Sequence, residues 1–81
     1  MLKVILKAVN KRYLLDHIDW EFITQHLNQP LTISSISFDE ETGEPDVIAV
    51  SMCNVYNDIV PLFIKGNEVK YEFVGALLQH N

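Results

Sequence analysis

Asp16 and His17 stand side by side, and Ser34, Ser35, Ser37 and Ser51 follow them, so the side-chain types of a Ser-His-Asp nucleophilic system are all present. Nothing in their spacing selects one serine, because no nucleophile-elbow motif surrounds any of the four. A metal centre finds no better footing: His17, His26 and His80 are scattered and Cys53 is the single cysteine, whereas zinc sites are built from closely spaced Cys and His pairs. Gly43, Gly66 and Gly75 are too far apart for a phosphate-cradling loop or a dinucleotide fingerprint. No catalytic residue, metal ligand or cofactor is assigned from these patterns, and the expectation is of a protein that is not an enzyme. Cys53, placed in an apolar run, is expected to be a small buried hydrophobe rather than a nucleophile.

The strongest concentration of charge is "SFDEETGEPDVI", in which Asp39, Glu40, Glu41, Glu44 and Asp46 fall within eight residues. A tight turn centred on Thr42 and Gly43 would set Asp39 opposite Asp46 and Glu40 beside Pro45, and like charges facing each other across strands repel. Such a loop gains from a cationic partner. Calcium is a poor candidate, because the alternating D-x-[DN]-x-[DN]-G pattern that delivers its oxygen ligands is missing. A basic protein surface fits better. The wider charge map points the same way: Lys3, Lys7, Lys11 and Arg12 make the first twelve residues basic, and from Tyr13 to Ile64 there is no Lys or Arg while nine acids accumulate. A net charge of −5 in this arrangement disfavours nucleic acid, which requires a basic face.

With 81 residues the chain reads as one domain, 1–81, whose core must be thin. Its 48% hydrophobic content is generous for that size and leaves room for a partner or for self-association. A lone cysteine fits a reducing compartment. The opening "MLKVILKAV" is broken by Lys7 too early for a signal peptide, and no run approaches the ~20 apolar residues of a membrane span. A soluble cytoplasmic protein is expected.

Alternation in "LKVILKAV" predicts a strand with Leu2, Val4, Leu6 and Ala8 on one face and Lys3 and Lys7 on the other, as suits an outer strand. "IDWEFITQHLNQP" predicts the main helix, with Asp19 as its cap, an Ile18–Ile23 staple, a Trp20–Ile23–Leu27 stripe toward the core, and Pro30 as its end. Phe22 and His26 form a second flank. "LTISSISF" and "VIAVSMC" read as strands joined by the acidic loop, and "IVPLFI" as an edge strand because Pro61 cannot donate. "KGN" is a turn, after which Val69, Tyr71 and Phe73 alternate as a hairpin strand before a short helical or irregular tail. The expected fold is α+β: a small single-layer, mostly antiparallel sheet of four to five strands packed against one main helix.

The function these residues suggest is a small acidic protein-binding domain that inhibits or regulates a basic protein partner, in the manner of an immunity protein, an antitoxin or a phage-encoded inhibitor. Asp39, Glu40, Glu41, Glu44 and Asp46 would steer and pair with the partner's cations, and Phe22 or Tyr56 would supply a desolvated anchor. The alternative is a self-associating structural or assembly subunit without catalytic activity, joined through the helix flank or the strand containing Pro61.

Overall fold

The computed structural model describes residues 2–10 and 17–75. The elements run β1 (Leu2–Val9), α1 (His17–Gln25), β2 (Pro30–Phe38), β3 (Pro45–Cys53), β4 (Ile59–Lys65), a 3₁₀ turn (Gly66–Glu68) and β5 (Val69–Gly75). All strand pairs are antiparallel, and the sheet order is β4-β3-β2-β1-β5.

That order poses a geometric problem which defines the architecture. β4 and β5 lie at opposite edges, so a flat sheet would hold them about 19 Å apart across four strand spacings. The four chain steps from Lys65 to Val69 reach at most about 14 Å. Moreover, β4 ends level with Val47 whereas β5 begins level with Val9, at the other end of the strands. The sheet must therefore coil until its edges approach. β2 is the corner: residues 30–32 pair with β1, residues 33–38 pair with β3, and the register shifts between Ile33 and Ser35 where the strand turns from one half to the other.

A coiled sheet encloses its own core. Val4 and Leu6 of β1, Leu31 of β2, Ile48, Val50 and Met52 of β3, and Leu62 and Ile64 of β4 form one buried cluster, and Val69, Tyr71 and Phe73 of β5 pack against it. Among its described side chains, the helix contributes Ile23 as a fully buried residue. The expected α+β content and antiparallel strands are present, but the apolar face is covered mainly by the sheet's own curvature, not by a helix lying on a flat layer. Phe22 of α1 and Leu27 in the turn after it pack on the cluster, while Trp20 remains half-buried. The described helix runs His17–Gln25, with Asp19 in its first turn. It stops short of Pro30 through Asn28, whose φ of 64° is the left-handed geometry common after a helix end and whose N–H donates to the Leu6 carbonyl at 2.8 Å.

Four sequence expectations change. β1 is not an outer strand, since β2 and β5 flank it. A bulge between Leu6 and Ala8 ends its simple alternation, exposing Ala8 and returning Val9 to the core side. β5 is a strand, as its alternation suggests, but it pairs with β1 and not across "KGN" with β4, because that segment forms the 3₁₀ crossing. Cys53 is exposed: it closes β3 one residue after inward-facing Met52 and so points outward. β4 does sit at an edge with Pro61 in it. The expected tail at residues 76–81 lies outside the described residues.

The crossing depends on Gly66. This residue is buried, and a Cβ placed on it would meet the Pro45 carbonyl oxygen at 2.3 Å and the Pro45 carbonyl carbon at 3.2 Å, both fixed backbone atoms. Gly66→Ala is expected to destabilise the protein by about 1–3 kcal/mol, read as a lower urea midpoint at unchanged slope; an unchanged midpoint would show that the crossing is not tight.

Candidate functional site

The β2–β3 connection is shorter than the run of acids implies. β3 begins at Pro45, opposite Phe38, leaving residues 39–44 to turn. The Asp39 N–H donates to the Glu44 carbonyl at 2.8 Å, and the Gly43 N–H donates to the Asp39 carbonyl at 2.8 Å with Gly43 at a φ of 74°. Asp39 therefore faces Glu44, not Asp46, which falls in a register shift between the Ser37 and Phe38 pairs. The Asp39 carboxylate is itself occupied: Oδ1 accepts from the N–H of Glu41 at 2.8 Å and of Thr42 at 3.0 Å. Thr42 Oγ1 in turn accepts from the Glu44 N–H at 3.2 Å. The Thr42 and Glu41 N–H groups hold the Asp39 carboxyl below its ordinary value of 3.8.

These bonds divide the acids by role. Asp39 organises the turn. Glu40, Glu41, Glu44 and Asp46 are exposed, and no ion pair among the described residues joins a cation to any of them. In β1, Lys3 sits opposite Thr32 and Val74 in the register, and Lys7 Nζ lies 3.5 Å from Glu72 Oε2 on β5. Lys11 and Arg12 lie outside the described residues.

Beside this turn the coiled sheet is open. Leu2, Ile33, Ile36, Phe38, Pro45 and Phe73 line an apolar groove of about 550 Å³ at this mouth of the coiled sheet. Phe38 is on the core face of β2, two residues after Ile36, yet its place at the strand end leaves it 59% exposed. An apolar mouth thus adjoins an acidic turn, with Phe38 and Pro45 as the two posts between them.

The other expected anchors are not here. Tyr56 is 81% exposed at the tip of the β3–β4 turn, the opposite end of nine-residue β3 from the acids, a separation of about 30 Å along the strand. Phe22 lies near that same far end, sharing a cleft with His26, Met52, Cys53 and Val55. It is half-buried against the core and stacked on His26, ring centroids 4.2 Å apart. Neither aromatic can form one compact patch with the acidic turn. The residue that does, Phe38, is signalled in the sequence by its place directly before Asp39, at the end of the Ile36–Phe38 alternation.

The β3–β4 turn uses the same device as the acidic one with a neutral side chain: Asn54 Oδ1 accepts from the N–H groups of Tyr56 at 2.9 Å and Asp58 at 3.0 Å, with Asn57 at a φ of 63°. Among the described residues no cluster of His, Cys, Asp and Glu is arranged to hold a metal ion, and no helix is long and apolar enough to cross a membrane. The chain matches no family model, no curated protein and no solved structure.

Because folding depresses the Asp39 pKa, its carboxylate contributes stability above its unfolded value of about 3.9 and loses that contribution as pH falls through the lower folded value. Asp39→Asn keeps an acceptor oxygen but no charge. The variant is expected to melt below the wild type at neutral pH, with the gap narrowing below about pH 4; melting curves that stay parallel down to the acid limit would remove this role.

Proposed function

We propose that the protein is a binding module for a basic protein partner, engaged at the mouth of the coiled sheet. The observation that carries this reading is the juxtaposition of an apolar groove with an acidic rim that no cation among the described residues pairs: Phe38 and Pro45 on one side, Glu40, Glu41 and Glu44 on the other. An apolar groove supplies desolvated contact, and exposed carboxylates bring cations to it and fix their register. The fitting ligand is a segment carrying apolar side chains beside Lys or Arg. Occupying such a segment on a partner masks its basic surface, which is the route by which binding becomes inhibition or regulation. Compared with the sequence reading, the anchor moves from Phe22 and Tyr56 to Phe38, and Asp39 becomes the residue that shapes the loop.

A synthetic peptide alternating Leu with Lys, and its counterpart with Glu for Lys, tests this by calorimetric titration. Binding is expected for the Lys peptide alone, weakening with salt. Glu40→Gln, Glu41→Gln and Glu44→Gln together should weaken it further, Phe38→Ser should cost about tenfold or more, and Tyr56→Ser should leave it unchanged. Binding indifferent to both salt and the triple substitution, or equal for the two peptides, sinks the proposal.

A further inference from the structure

One stretch of strand edge in the coiled sheet is left open. β1 pairs with β2 through Lys3 opposite Thr32, Val4 opposite Leu31 and Ile5 opposite Pro30, so it runs out beside Ile33. β2 continues to Phe38 and pairs with β3 on one side. Among the described residues, nothing pairs with its other side from Ser34 to Phe38. The bonds of the acidic turn fix what that side presents. The Asp39 N–H points toward β3, where it donates to the Glu44 carbonyl, so across the planar peptide that joins Phe38 to Asp39 the Phe38 carbonyl points away from β3. Alternation along the strand then turns the backbone N–H and C=O of both Ile36 and Phe38 to the open side.

Natural sheets guard such edges with proline or charge. The edge strand β4 carries Pro61, and the edge strand β5 carries exposed Lys70 and Glu72. Ser34–Phe38 carries neither proline nor charge. It also borders the apolar groove: Ile36 and Phe38 line it, with Leu2 and Phe73 toward the β1 end and Pro45 opposite Phe38. We propose, resting on the reading of the mouth as a site for a basic partner, that the partner enters as an extended strand paired with Ile36 and Phe38, in line with β1 and antiparallel to β2. Strand addition of this kind takes its affinity from main-chain bonds and its specificity from alternate side chains. The open stretch, residues 34–38, is about 17 Å long. Opposite residues that exchange both backbone bonds in an antiparallel pair place their side chains on one face. The ligand residues bonded to Ile36 and Phe38 therefore enter the groove and are apolar, and those between them face outward. Running antiparallel, the ligand brings its N-terminal end to exposed Glu40, Glu41 and Glu44, so its Lys or Arg residues belong at that end.

Backbone N-methylation of the alternating Leu and Lys peptide separates strand addition from binding as such, because a methyl group removes an N–H and leaves the side chains in place. In calorimetric titration of the full chain, the form methylated at every Lys should bind like the unmodified peptide. The form methylated at every Leu should bind about tenfold or more weakly. In amide hydrogen exchange, Ile36 and Phe38 should slow when the unmodified peptide is added, while Asp39, already bonded to Glu44, should not change. Equal binding by all forms, or a loss confined to the Lys-methylated one, overturns the antiparallel strand and leaves the binding module standing. No binding by the unmodified peptide overturns both. Protection of Ile36 and Phe38 that rises with protein concentration in the absence of peptide gives the edge to a second copy of this chain and overturns the partner strand.

Discussion

Everything in this molecule follows from one short link. Three residues, Gly66–Glu68, carry the chain from one edge of a five-stranded sheet to the other, and no flat sheet allows it. The link passes so close over the start of β3 that only a residue without a Cβ fits against the Pro45 carbonyl. Coiling is the result, and with coiling come a core enclosed by the strands, a corner in β2, and a mouth where the curvature stays open. Pro45 takes part twice, beneath the crossing and as one wall of the mouth. The acidic turn sits at the rim because the β2–β3 hairpin ends there.

The elements were legible in the sequence because each rests on a local pattern. Alternation marks β1, β3 and β5, and Pro61 marks an edge. What local pattern does not encode is which strand meets which. Lys3 and Lys7 look like edge protection, yet β1 is an inner strand, and Lys7 meets Glu72 from a neighbour that follows it by more than sixty residues. Exposed pairs of this kind contribute about 0–1 kcal/mol, so the lysines do not decide the pairing; burial of Tyr71 and Phe73 on the core side does more. Cys53 was misplaced for a different reason. Its run is apolar, but a strand alternates, and Met52 takes the inward position.

The site was half legible. Five acids in eight residues announce a charged turn, but composition cannot separate an acid that shapes a loop from one that merely rides on it. Asp39 and Asn54 make that distinction concrete. Each offers one side-chain oxygen to two backbone N–H groups of its own turn, so a neutral acceptor can hold the same geometry, and the charge on Asp39 strengthens it. Phe22 and Tyr56 were attractive as aromatics, and only the length of β3 shows that they stand at the wrong end for the acids.

The pairing of β1 with β5 also has a temporal side. β2, β3 and β4 are joined by short turns, and their contacts close over small loops, whereas Leu2 and Gly75 are brought together from nearly the whole length of the chain. Loop-closure entropy grows with the separation that must be closed, and long-range pairings slow folding. The meander β2–β4 is thus the natural early structure, and the β5 seam the last to zip. A protein built this way completes its mouth last, along the wall where Phe73 and Leu2 stand.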